Sequence, residues 1–281
     1  MERDRIPVAR REPPRQATRP MSDYKLILVG TGFASSFFLW RALGYLGESD
    51  RVLVLERGEM RTHAQRVSRP EERSWYKPDT FWNSTPSKPW HYTLGFGGSS
   101  NCWWGNTPRF LPSDFEMRSK YGVGEDWPLR YDDLAQYYEI VEDKMEVSGP
   151  EKTAFPRSRP YPLPAHRLST IDRALQRAWP EHVFGLPSAR PSRATKSRPR
   201  CCANAVCNTC PINSKFTIEN GLNEPFRDPR VTLKVHAEVL ALELEGGLAK
   251  GVRYREGGRE KVATGEVVGL GANAMFNPWI L

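Results

Sequence analysis

Between Lys25 and Glu56 the chain reads as strand, glycine turn, helix and strand, an order that few folds satisfy. Lys25 to Val29 (KLILV) is an apolar run, Gly30-Thr31-Gly32-Phe33-Ala34-Ser35 follows, an apolar stretch reaches Leu46, and Val52 to Leu55 ends at Glu56. Each part has a physical task. Gly30 permits a tight turn, Gly32 lets the backbone approach a pyrophosphate, and the small Ser35 lets helix and strand pack closely. The helix N-terminus then faces the phosphates. Glu56 closes the second strand, where a carboxylate accepts hydrogen bonds from a ribose diol. The pattern predicts the βαβ start of an α/β, Rossmann-like domain holding a dinucleotide, and FAD and NAD both suit the motif.

Charge narrows the partners. The formal balance of +8 comes from two places: residues 1–20 hold six Arg against three acids, and residues 186–200 hold four Arg and one Lys with no acid. The remaining sequence carries 30 basic and 30 acidic side chains. It therefore lacks the distributed basic face that binding a phosphate backbone needs, and nucleic acid is not an expected partner. Apolar runs fall far short of the roughly 18 residues that span a bilayer, so no transmembrane segment is expected. Arg10-Arg11 is not followed by an apolar region, so no export signal of the chain's own is expected. The expected location is the cytoplasm, with export alongside a partner subunit as the alternative.

Two later stretches stand out. Six of the nine Trp fall between Trp75 and Trp127, around Gly95 to Phe110 (GFGGSSNCWWGNTPRF), which neither a simple strand nor a simple helix explains. Cys201, Cys202, Cys207 and Cys210 then fall within ten residues, in CCANAVCNTCP. Thiolates at that spacing suit tetrahedral zinc or an iron–sulfur cluster, and a loop of plain thiols or disulfides has the same appearance. The basic stretch Arg190 to Arg200 just before them is either a docking face for an acidic electron-accepting partner or a solvated loop. Nearer the end, residues 231–255 alternate as strands with a turn at Gly246-Gly247. Val267-Val268 before Gly269-Leu270-Gly271 reads as a further strand entering a helix.

Taken together, the Gly30 turn ending in Glu56, the Gly97-Gly98-Ser99-Ser100 loop, Asp126 to Gly149 (DWPLRYDDLAQYYEIVEDKMEVSG), Val231 to Leu244 and the closing EVVGLGANAMFNPWIL resemble the glucose-methanol-choline family of flavoprotein oxidoreductases. The resemblance runs through nearly all of residues 24–281. It implies FAD as cofactor and oxidation of the CH–OH group of a sugar or alcohol, with hydride passing to the flavin. The cofactor contacts it implies are Gly30, Gly32, Ser35, Glu56, Arg57, Gly97, Gly98, Ser99, Asn101, Cys102, Trp104, Gly105, Val239 and Ala272. Cys102 stands where a covalent flavin attachment occurs in some members. The cysteine run is similar to that of cytochrome-linked sugar dehydrogenases of the family. That similarity implies a three-iron four-sulfur cluster on Cys202, Cys207 and Cys210, with Cys201 spare or a fourth ligand, and a cytochrome or quinone as electron acceptor.

The family's catalytic base is a His in its carboxyl-terminal half, and none of His63, His91, His166, His182 and His236 lies in a comparable stretch. His91, close to Gly95, is the one local candidate base. The expectation is that the base lies beyond Leu281 and that the substrate domain is truncated. The chain is then the FAD-binding part of a dehydrogenase, with a non-catalytic FAD-binding half or a truncated product as the alternatives. The expected organisation is a disordered basic tail over 1–22 with an alternative start at Met21, and the first βαβ unit over 23–60. A flavin-contacting insert over 61–125, a helical and loop insert with the cysteine cluster over 126–222, and returning strands over 223–281 complete it.

Overall fold

The computed structural model describes residues 22–68, 84–85, 87–88 and 92–281. The tail expected at 1–22, apart from Ser22, lies outside these residues, as do Arg10-Arg11, Trp75, Trp82, Trp90 and His91. In chain order the strands are β1 (Tyr24–Val29), β2 (Val52–Leu55), β3 (Ser148–Gly149), β4 (Leu163–Pro164), β5 (Val231–Lys234), β6 (Ala237–Glu245), β7 (Leu248–Glu256) and β8 (Arg259–Leu270). The helices are α1 (Phe33–Ala42), α2 (His63–Ser68), α3 (Met117–Tyr121), α4 (Tyr131–Lys144), α5 (Thr170–Ala178), α6 (Ile218–Gly221) and α7 (Asn273–Ile280).

The interior positions of β1 and β2 are apolar without alternation because both faces of these strands are covered. On one face Ile27, Val29, Leu53 and Leu55 pack with Val239, Val252, Tyr254 and Ile280. On the other, Leu26, Leu28, Val52 and Val54 meet Leu39 of α1. The main sheet has the order β5-β2-β1-β8-β7-β6. β5, β2, β1 and the second half of β8 run parallel, with Leu26 opposite both Val52 and Val267. The first half of β8 instead pairs antiparallel with β7, and β7 with β6 through the Gly246-Gly247 turn. One 12-residue strand therefore belongs to both a Rossmann-like sheet and a three-stranded meander. Together with α1 this is an α/β fold.

Everything between β2 and β5 is an excursion that leaves and re-enters the sheet at neighbouring strands. Its ends are tied together, since Glu56 N donates to Lys234 O at 2.8 Å and Ala237 N donates to Glu56 O at 2.9 Å. The excursion has its own core of Phe96, Val147, Phe216, Ile218 and Leu222, against which Phe33, Phe37 and Trp103 pack. Helix α4 opens with Asp132 and Asp133 in its first turn, favourable at the positive end of the helix dipole, and Asp133 Oδ2 accepts from Arg130 N at 2.8 Å. The helix is held to the preceding loop by Arg109, whose Nε and Nη2 donate to the two oxygens of Glu142, each at 2.7 Å. Among the described residues no helix is long and apolar enough to cross a membrane.

Candidate cofactor-binding site

The carboxyl ends of β1, β2 and β8 open onto a cavity of about 770 Å³, within the usual range for small-molecule sites. The Gly30 turn forms its floor. Gly30 has φ +87°, and a Cβ there would stand 2.6 Å from Gly271 O, so both the conformation and the close backbone require glycine. Gly32 differs. It is the extended N-cap of α1, and a Cβ on it would meet no atom within 4 Å. No side chain caps α1 and no acid lies in its first turn, so its dipole and first amides are left for an anion. A backbone bare on the ligand side in front of an uncapped helix start is the donor set that a pyrophosphate fits.

Ser35 works from behind the cavity wall. Its hydroxyl donates to Val29 O at 3.2 Å, and a Cβ on Gly271 would come within 2.0 Å of Ser35 Oγ. Helix and strand meet here with no room for a methyl group. Gly271→Ala should lower stability by about 1–3 kcal/mol through overpacking, and Ser35→Ala in the same chain should recover most of it. Thermal melting of the single and double variants checks this; an equal loss in both would mean that Ser35 is not the obstacle.

Glu56 is 6% exposed, and its carboxylate already has protein partners. Oε2 accepts from the Thr31 amide and hydroxyl, at 3.1 and 2.6 Å, and Oε1 accepts from Gly58 N at 2.9 Å. Thr31 Oγ1 in turn accepts from Gly97 N at 3.0 Å. Glu56 thus lines the cavity while clamping the Gly30 turn to the loop that begins at Gly97. Thr31, the variable position of the motif, joins the two, a role that local sequence does not reveal because its partners are 25 and 66 residues away.

Of the residues expected to touch cofactor, Gly30, Gly32, Glu56, Arg57, Gly98, Ser99, Val239 and Ala272 line the cavity. Arg57 pairs with Glu238 at 3.1 Å and lies over the Phe276 ring at 5.1 Å, which joins β2, β6 and α7 around one end. Gly97 and Gly98 take φ +87° and +50°, and the 3₁₀ turn Gly98–Asn101 follows. Ser35, Gly97, Asn101, Cys102, Trp104 and Gly105 are not on the cavity wall. Asn101 is buried, with Nδ2 donating to Phe96 O and Oδ1 lacking a partner. Cys102 is a buried free thiol, while Trp104 is 52% exposed.

All four thiols of the cysteine loop are free, and among the described residues no three His, Cys, Asp or Glu side chains are grouped so that they could hold a metal ion. The sulfurs take local donors instead: Ala203 N to Cys201, Arg190 Nη1 to Cys207 at 3.1 Å, and Ser214 N to Cys210 at 3.2 Å. Cys202 is exposed, and burial pushes the Cys201 thiol up. The arrangement does not fit the expected iron–sulfur cluster. The basic stretch is also divided. Arg198 is 2% exposed and donates to Ala189 O and Ser214 O while pairing with Glu146, and Arg190 serves Cys207. Only Arg193, Lys196 and Arg200 of the five are exposed. The described histidines lie off the cavity wall, and burial lowers the pKa of His63 and His166.

No family model matches the chain. Sequence relatives are found among oxidoreductases. The chain is 29% identical over 257 residues to a fructose dehydrogenase large subunit of Gluconobacter japonicus, covering 78% of this chain and 46% of that protein. It is 29% identical over 189 residues to a 6'''-hydroxyparomomycin C oxidase of Streptomyces lividus, covering 64% of this chain and 33% of that protein. It is 24% identical over 200 residues to a 2-methyl-1,2-propanediol dehydrogenase of Mycolicibacterium austroafricanum, covering 66% and 35%. The chain thus spans half or less of the length of these relatives. Among solved structures, pyridoxine 4-oxidase from Mesorbium loti superposes with a TM-score of 0.61 at 18% identity, over 92% of this chain and 51% of that one. An FAD-dependent oxidoreductase from Chaetomium thermophilum gives 0.56 at 15% identity, over 92% and 47%. The fold is that of the FAD-dependent oxidoreductases. The sequence relatives are dehydrogenases and oxidases, in keeping with the resemblance to the glucose-methanol-choline flavoproteins noted in the sequence.

Proposed function

We propose that the cavity holds FAD and that the chain is the cofactor-binding part of an oxidoreductase acting on the CH–OH group of a sugar or alcohol. The observation that carries the reading is the bare ligand-facing side of Gly32 in front of the uncapped α1, opening into a cavity of about 770 Å³. The chain's residues have separate tasks. Gly32 admits the pyrophosphate, the α1 amides receive its charge, and Glu56 fixes Thr31 and with it the loop carrying Gly98 and Ser99. FAD, when bound, supplies a hydride acceptor for alcohol oxidation. Similarity to a fructose dehydrogenase, a 2-methyl-1,2-propanediol dehydrogenase and a 6'''-hydroxyparomomycin C oxidase supports a hydroxylated small molecule as substrate.

The similarity to a protein named as a large subunit supports a partner subunit, while a cytochrome or quinone as electron acceptor enters only through the family resemblance. An iron–sulfur relay enters only through the resemblance, and no step is drawn through it. Iron together with acid-labile sulfide in anaerobically purified protein would bring it back.

FAD is expected to raise the melting temperature of the purified chain and NAD is not. A ligand at a hundred times its Kd stabilises the folded state by about 2.7 kcal/mol, which such a scan resolves easily. A shift with NAD alone would reassign the site, and no shift with either would remove the reading.

A further inference from the structure

The segment that ends the cysteine loop runs behind the Gly97–Gly105 loop, and it places a lysine in surroundings that a cation normally avoids. Lys215 is 1% exposed. Its Nζ donates to Asn101 O at 3.0 Å, Trp103 O at 2.7 Å and Asn208 O at 3.1 Å. An ammonium has three N–H donors, so all are spent on backbone carbonyls. Among the described residues no carboxylate forms an ion pair with it, and burial pulls its pKa down to about 8. A buried charge without a carboxylate partner is costly, and here the three backbone carbonyls compensate for it.

Two of the three carbonyls belong to the Gly97–Gly105 loop, whose earlier residues Gly98 and Ser99 form cavity wall. The third belongs to Asn208, between Cys207 and Cys210. The same stretches are joined twice more, by Trp103 Nε1 donating to Phe216 O at 2.8 Å and by Ile218 N donating to Ser100 Oγ at 3.1 Å. Gly105 closes the seam: a Cβ there would touch both Arg190 and Lys215 side chains, at 3.1 and 3.3 Å, and Arg190 is the residue that donates to Cys207.

We infer that Lys215 is a positioning residue that fastens the cysteine loop to the cavity-facing loop, so that the two open together and a change at Cys207 or Cys210 is felt at the cavity. The step from cavity to cofactor rests on the FAD reading above; the fastening does not.

The test compares the unmodified full chain with Lys215→Met, and uses Lys196→Met as the control for losing an exposed cation. The first measurement needs no cofactor: the rate of iodoacetamide alkylation at each cysteine, followed by peptide mapping. In the unmodified chain Cys102 and Cys207 should react slowly and Cys202 quickly. Lys215→Met should speed Cys102 and Cys207 together by at least tenfold and leave Cys202 unchanged; acceleration on one loop alone, or on neither, overturns the inference. Because the variant can fail to fold, hydrogen exchange on the unmodified chain decides independently. Peptides covering 99–104 and 206–215 should share one level of protection, as a single opening unit does, and a difference above tenfold overturns it. The last measurement is the visible circular dichroism of added FAD. Lys215→Met should alter that signal with the melting temperature of the sheet unchanged, which a merely stabilising residue would not do. An unaltered signal in the loaded variant rejects the link to the cavity. No signal with the unmodified chain defeats the FAD reading instead, and alkylation and exchange still decide on Lys215.

Discussion

A chain carrying Gly32→Val is expected to melt where the unmodified chain melts and to bind FAD about a hundredfold more weakly, a loss of roughly 2.8 kcal/mol. The two halves of that result separate ligand from fold. A Cβ at Gly32 meets no protein atom within 4 Å, and the residue's φ of −69° is open to any side chain, so folding has no reason to suffer. A branched side chain would instead fill the space in front of the first amides of α1, where phosphate oxygens must come close. Gly30 gives the contrast within the same turn. There the added Cβ strikes Gly271 O, so Gly30→Val should lose the fold and the ligand together. Fluorescence titration with FAD beside a thermal melt reads both quantities. Undiminished binding by Gly32→Val would remove the pyrophosphate from this turn.

Glu142→Gln is expected to cost about 3–5 kcal/mol, the loss usual when one member of a buried ion pair is neutralised. Arg109 is 3% exposed and Glu142 5%, and the guanidinium meets the carboxylate with two parallel bonds. Arg109 Nη1 also donates to Tyr131 OH at 3.1 Å and Pro156 O at 2.9 Å, so it cannot swing to water without breaking other bonds. Burial alone would lower the pKa of Arg109, yet the bonds to Glu142 and Tyr131 together raise it above its ordinary value. Replacing both partners, as Arg109→Met with Glu142→Leu, should recover only part of the loss, because Arg157, 3.3 Å from Glu142, then loses its carboxylate. Urea unfolding monitored by tryptophan fluorescence measures all three chains. A loss below about 1 kcal/mol in Glu142→Gln would show that Glu139, 3.9 Å from Arg109, carries the load instead.

What the sequence disclosed and what it hid follow from the range of the interactions. The Gly30 turn, α1, β2 and the Gly246-Gly247 hairpin are specified by neighbours in the chain: apolar runs of the right length, glycines at the turns, an acid closing a strand. The hidden parts depend on distant partners. Nothing about Thr31 announces that it will join Glu56 to Gly97, and nothing about Lys215 in PINSKFTI announces burial against residues 112 and 114 positions earlier. The cysteines show the same limit from the other side. Their spacing gives ligand type and order, but whether a loop turns its sulfurs toward a common point depends on its backbone, and here Arg190 and two amides take the sulfurs singly. The basic stretch misleads for a related reason, since a run of charges does not reveal that Arg198 points inward to three backbone carbonyls.

The pairing of β1 with β8 has a consequence for how the chain is made. Lys25 and Glu266, which form an ion pair across that seam, are 241 residues apart. Synthesis at about 5–20 residues per second separates their appearance by roughly 10–50 s. Through that interval β2 can cover one edge of KLILV, while the other edge, a row of unpaired backbone groups on an apolar strand, has no partner within the chain. Such an edge recruits strands from other molecules. The nascent polypeptide therefore carries an unpaired apolar edge from its first strand until its last one is made.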